Sequence, residues 1–332
     1  MLSLMSTPTG VLIATLLLGV VFVNGWTDSP NAIATGCITK ALSFSRCALL
    51  CGVFNLLGVL ISPIFAEGVS ENVFSLIDTE DSRQVQIIII STLVTTILFG
   101  VVAWFFGMPT SESHGMLCGL LGSTAFFGGA LQFYKIGTLL FHLFVSVLLA
   151  LVLSLAVGLL FKRKRVFGSL GAISCLCALS LMHGCQDGQK FIGILKAFVS
   201  KTDTYPDFFT NLSIVLPIGI VMLLGSLLGG KRIIKTYKNA STEDSPSYFM
   251  SSDIGTIFSI LLCSIFGMAI STGIVKLFSL VGSALAFRKK VNKRVATATL
   301  LVALATLPIC FVMGYFVSSI LDSNSSFLFV LG

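Results

Sequence analysis

Asn24-Gly25-Trp26-Thr27-Asp28-Ser29-Pro30-Asn31-Ala32-Ile33-Ala34-Thr35-Gly36 is the stretch whose reading decides the fold. It follows an uncharged apolar run from Met1 to Val23. A span needs about 20 residues, so Asp28 falls near the inner end of that span or inside a broken one. Gly25, Pro30 and Gly36 permit a break, and Asn24, Thr27, Asp28, Ser29 and Asn31 place oxygens around it. Unwound backbone at membrane depth is tolerated only where it lines a polar cavity, and carriers use freed helix ends to hold ions. Lone polar residues near a span end are commonly interface residues, so the rest of the chain must decide.

The composition is that of an integral membrane protein. Of 332 residues 55% are hydrophobic and 11% charged, where a soluble domain carries about 25% charged. The 9 cysteines lie in apolar runs without zinc spacing and read as small buried hydrophobes; Cys175-x-Cys177 is the one hint of a thiol site. The net charge of +7 sits mostly in three short basic loops, which speaks to topology and against nucleic acid. No lysine or arginine precedes Lys40, so no cleavable signal is expected.

Uncharged runs mark an all-α chain. Met1–Thr27 and Cys47–Ala66 are followed by an acidic loop, Glu67 to Arg83. Gln84–Ser111 and Gly115–Tyr134 flank a polar knot, Thr110-Ser111-Glu112-Ser113-His114, and Ile136–Phe161 completes a first half. The second half has Val166–Gln186, a knot at His183–Lys190, Phe208–Gly230, Ile254–Val275, Leu277–Phe287 and Val295–Leu321. The basic loops Lys162–Arg165, Lys231–Lys238 and Arg288–Arg294 are expected inside. Gln84–Tyr134 then becomes a hairpin entering from outside, Ile254–Phe287 one entering from inside, and both termini come out external.

The chain repeats itself across this inversion. Asn24-Gly25-x-x-Asp28 is matched by His183-Gly184-x-x-Asp187, Gly107-Met108-x-x-Ser111 by Gly267-Met268-x-x-Ser271, and Gly122-Ser123 by Gly282-Ser283. The Asp28–Ser111 and Asp187–Ser271 separations differ by one residue. The expectation is an all-α integral membrane protein built as an inverted repeat, residues 1–161 and 162–332, with two broken helices and two reentrant helical hairpins, the architecture of secondary carriers.

Each tip is small and hydroxyl-rich: Thr110, Ser111 and Ser113 in one copy, Ser271, Thr272 and Gly273 in the other. Helix N-termini there suit a tetrahedral anion, although such hydroxyls also cap turns. Asp28 and Asp187 repel an anion and fit a monovalent coupling cation, with Asn24, Thr27 and Asn31 as neutral ligands. Glu112 or His114 could carry a proton, while a structural histidine is an equal reading of His114 and the expected one for His142. Lys190 follows Asp187 by one helical turn and can pair with it. Lys276, past the second tip, either lends a fixed charge to the site or snorkels to the inner interface. No nucleophile–base pair, phosphate loop or metal-hydrolase motif is present, so an enzyme is not expected.

These residues resemble the inorganic phosphate transporter (PiT) family of cation-coupled symporters. Asn24 to Thr35 resembles the family's "NGxxDxxNAxAT", Gly107 to His114 its "GxPxSxxH", and His183 to Gly193 its "HGxNDxQKxxG"; Gly229–Thr236 and Thr306-Leu307-Pro308 also fit. The resemblance covers nearly the whole chain. It implies symport of inorganic phosphate with Na⁺ or H⁺ through a bilayer, no other cofactor, and is compatible with a homodimer. With the tip chemistry it points to Asn31, Ser111, Ser113, Ser271, Thr272 and Gln189 for substrate. The chain departs from the family where "PVSTTH" becomes Ala269-Ile270-Ser271-Thr272-Gly273-Ile274 and "ND" becomes Gln186-Asp187. A sulfate permease of the same fold, a channel, or a transport-dead phosphate sensor are the alternatives.

Overall fold

The computed structural model describes residues 7–65, 67–107, 112–128, 133–162, 168–201, 212–240 and 245–324. Thr110, Ser111 and the basic run after Lys162 lie outside the described residues. The first half comprises α1 (Pro8–Thr27), α2 (Pro30–Ile38), α3 (Phe44–Phe65), α4 (Glu67–Phe74), α5 (Ser82–Phe105), α6 (Glu112–Phe126) and α7 (Phe133–Lys162). The second comprises α8 (Gly168–Lys201), α9 (Leu212–Leu228), α10 (Lys231–Ala240), α11 (Pro246–Ile265), α12 (Thr272–Phe287) and α13 (Lys293–Ser323). No strand occurs among the described residues, and 7 helices are long and apolar enough to cross a membrane. Phe141, Phe144 and Leu160 of α7 and Leu301, Val312 and Phe316 of α13 leave their side chains exposed, as helices in lipid do.

The pairs of packed helices interchange between halves. α3 packs on α8 as α9 packs on α1; α7 packs on α11 and α12 as α13 packs on α5 and α6; α4 packs on α8 as α10 packs on α2. Glycines make these approaches possible. A Cβ on Gly25 would meet the backbone of Met222, and one on Gly184 the backbone of Asn55. Gly122 stands in the same way against Phe311, and Gly282 against Leu151. The inverted repeat is therefore a packing symmetry as well as a sequence pattern.

Both hairpins turn at a glycine in the left-handed region, Gly107 at φ 65° and Gly267 at φ 67°, a conformation that favours a residue without Cβ. Their arms are unequal. α5, at 24 residues, is about 36 Å long, enough to cross the hydrocarbon core. The returning arms α6 and α12 have 15 and 16 residues and bury most of their side chains. Each turn is held by a short helix of the other repeat: Asn72 on α4 donates to the Gly267 carbonyl at 2.7 Å, and Thr236 on α10 to the Gly107 carbonyl at 2.7 Å.

One expected feature is absent. The first repeat's leading helix is interrupted at Asp28 and Ser29, which stay in the right-handed region so that α1 and α2 continue as one span, Pro8–Ile38, whereas its counterpart α8 runs uninterrupted for 34 residues through His183–Lys190. Pro30 is the difference: it starts α2 without an N–H to give, whereas its counterpart Gln189 keeps the ladder intact. The glycines and aspartate shared by both copies do not break a helix by themselves.

Candidate functional site

The break between α1 and α2, the middle of α8 and the starts of α6 and α12 meet in one buried polar cluster. Asn24 bridges the repeats: its amide donates to Asp187 Oδ2 at 2.9 Å and to Asp28 Oδ2 at 3.4 Å. Thr272, the first residue of α12, donates to Asp28 Oδ2 at 3.4 Å and accepts from the Asn31 amide at 3.3 Å. The Thr27 hydroxyl lies within hydrogen-bond reach of Val23 O and Glu112 Oε1, its one proton shared between them, and so joins the end of α1 to α6. On α8, Lys190 Nζ reaches Asp187 Oδ1 at 2.5 Å, Ser113 Oγ at 2.5 Å and the Ile270 carbonyl at 2.8 Å. It thereby touches both hairpins. His183 sets Nε2 3.0 Å from Asp187 Oδ2 and Nδ1 3.1 Å from Asn55 Oδ1.

Asn24, Thr27, Asp28, Asn31, Glu112, Ser113, His114, Asp187, Lys190 and Thr272 are all buried around this cluster or on its first turns. Three expected residues do other work. Ser271 is the N-cap of α12, accepting from Ile274 N at 3.4 Å. Gln189 turns to α3, donating to Ser62 at 2.9 Å. Lys276 neither serves the tip nor snorkels: its ammonium is 0% exposed and paired with Asp253 of α11, which is equally buried. Leaving an ammonium unpaired in that setting would cost far more than closing an ion pair across the hairpin. The sequence pattern singled out His183 as the counterpart of Asn24 but gave it no role at the site, and Asn55, Tyr237 and Asp253 were not read from it. Asn55 and Asp253 had a signal, a polar group in an apolar helix; Tyr237, which donates to Asn31 Oδ1 at 2.6 Å, had none.

The charges around the cluster do not balance. Among the described residues three carboxylates, Asp28, Glu112 and Asp187, converge with one lysine, Lys190, while His183 contacts Asp187 and His114 is buried nearby. Asn24 Oδ1 and Glu112 Oε2 are buried without a hydrogen-bond partner among the described residues, and Asn24, Glu112, Ser113, Asp187 and Lys190 line a small cavity. Asp28, His183 and Asp187 each offer a ligand atom within 4.8 Å of the others. Unpaired buried acceptors are costly, so this arrangement suits a cation or protons. Beside them, the α6 and α12 N-termini supply N–H groups and hydroxyls that suit an oxyanion.

Comparison with known proteins bears on the family and the fold. A protein of Mycobacterium tuberculosis (strain ATCC 25618 / H37Rv) named "Probable low-affinity inorganic phosphate transporter" is 29% identical over 315 residues, covering 89% of this chain and 73% of its own. One of Bacillus subtilis (strain 168) with the same name is 27% identical over 320 residues, covering 92% and 94%. A solved structure titled "The sodium-dependent phosphate transporter" superposes with a TM-score of 0.80 at 18% identity, over 94% of this chain and 98% of that one, and so shares the fold. The family model described as "Phosphate transporter family" matches twice, over residues 24–170 and 162–314. The two matches take one repeat each, and the chain belongs to the phosphate transporter family.

Proposed function

We propose that the protein is a secondary active transporter that imports inorganic phosphate by symport with Na⁺ or H⁺. The observation that carries this reading is the cluster's composition. Surplus carboxylates around Asp28, and oxygens of Asn24 and Glu112 that have no partner among the described residues, sit next to the helix starts at Ser113 and Thr272, so a cation and a tetrahedral anion can share one buried place. Each neutralises part of the charge the other brings. The two then enter a low-dielectric interior more easily together than apart. That is the physical basis of coupling.

Asp28, Asn24, Thr27 and Asp187 hold the coupling cation in this scheme. Asn31, Ser113 and Thr272, with Ser111 of the first tip, hold the phosphate. Ser271 and Gln189 act through the backbone and through Ser62. Glu112 is the side chain placed to exchange a proton with the cavity. The repeats divide at 161/162, both termini face outward, and the basic α10 faces the cytoplasm. Purified protein in liposomes, given labelled phosphate under Na⁺ and proton gradients in turn, tests the reading. Accumulation under one of them, with weak competition by sulfate, is expected. No uptake under either gradient overturns symport, and equal competition by sulfate overturns phosphate selectivity.

A further inference from the structure

The two aspartates are counterparts in the repeat, yet Asp187 has basic side chains, His183 and Lys190, against its carboxylate, and the lysine has no counterpart beside Asp28. Among the described residues, Asp28 takes its hydrogen bonds from Asn24 and Thr272, both neutral. Asp187 has the ammonium of Lys190 at 2.5 Å. Counted from the aspartates, Lys190 stands where the first repeat has Asn31. The nitrogen sits among a carboxylate oxygen, the Ser113 hydroxyl oxygen and the Ile270 carbonyl, with the side chain 1% exposed. Carboxylate, hydroxyl and backbone carbonyl are the ligand set a hard monovalent cation takes from a protein.

We infer that the Lys190 ammonium is a built-in cation, filling in the second repeat the place that a transported cation takes beside Asp28 in the first. The inference rests on the symport reading above and deepens it: one of two symmetry-related cation sites is permanently occupied. The transporter then moves fewer cations per phosphate than its symmetry allows. Lys190 also ties Ser113 of one hairpin to Ile270 of the other without any ion being bound, whereas a free ion would do so only when bound.

The test replaces the lysine by its counterpart, Lys190→Asn, with Lys190→Arg as the charge-keeping control. Thermal melts of purified protein are taken in NaCl and in choline chloride. The emptied site should bind Na⁺, so Lys190→Asn should gain a Na⁺-dependent rise in Tm beyond that of the parent. Lys190→Arg, which keeps a charge in the site, should show no Na⁺-dependent rise in Tm beyond that of the parent. In proteoliposomes the Na⁺ ions moved per phosphate should rise by about one in Lys190→Asn. An Asn variant whose melt responds to Na⁺ as the parent's does overturns the inference. So does one that no concentration of Na⁺ restores, in folding or in transport, since Lys190 would then be a strut. A parent that takes up no phosphate would instead sink the symport reading, while the melts would still decide whether Lys190 stands in for a cation.

Discussion

The two repeats have one scaffold and two chemistries. In both, a positive-φ glycine turns the hairpin, a short helix from the other repeat holds that glycine's carbonyl, and glycine lets one helix lie on another's backbone. The charges do not repeat. The first copy interrupts its helix before Pro30 and gives Asp28 neutral hydrogen-bond donors, Asn24 and Thr272; the second keeps its helix and pairs Asp187 with Lys190. Inside the second hairpin lies the buried pair Asp253–Lys276, where the same positions of the first hold Leu93 and Met116, both in the apolar core. Packing constrains both copies alike, since the main helix contacts recur: α3 on α8 as α9 on α1, and α7 on α11 and α12 as α13 on α5 and α6. The electrostatics are free to diverge, because one charged place suffices for each ion.

The largest effect expected from that divergence is at the hairpin pair. Lys276→Met alone leaves Asp253 as an unpaired buried charge and should destabilise the protein by about 3–5 kcal/mol. The double variant Asp253→Leu/Lys276→Met, which copies the first repeat, should recover most of that loss in a thermal melt. It should also transport with the parent's cation dependence, because the pair lies off the site. A double variant as unstable as the single one would mean the hairpins are not interchangeable.

A second effect should be equal in both copies. Gly122→Ala pushes a methyl at the backbone of Phe311, and Gly282→Ala at that of Leu151. Each should destabilise by about 1–3 kcal/mol, the range for overpacking. Melting shifts that differ strongly between the two would break the claim of shared packing. The smallest effect concerns the helices that hold the turns. Asn72→Ala and Thr236→Val each remove one hydrogen bond to a tip glycine and should cost about 1 kcal/mol. If the contacts are equivalent, both should speed hydrogen exchange at the opposite hairpin's turn and leave their own hairpin unchanged.

Much of this was legible in the residues, for reasons that can be named. The repeat could be read because Gly, Asp and Ser recur at matched spacing within apolar sequence, where few other residues could hold an ion or a turn. The unbroken α8 was missed because the glycines were weighed as breakers and Pro30 was not weighed against Gln189, although only proline removes the N–H. Lys276 was misplaced because helical spacing looks along one helix. Its partner Asp253 sits on the other arm of the hairpin, and only the fold brings the two together. The contact of Tyr237 with Asn31 came from a segment that reads as a basic surface helix, so nothing local pointed inward.

The central claim, that Asp28 holds the ion which drives phosphate uphill, is tested most directly by Asp28→Asn in proteoliposomes. Net accumulation of labelled phosphate under an inward cation gradient is compared with gradient-free exchange of labelled for unlabelled phosphate. The account predicts that the variant loses accumulation while retaining exchange, because the anion donors on α6 and α12 remain in place. Accumulation equal to the parent's would contradict it and leave Asp28 as a structural residue.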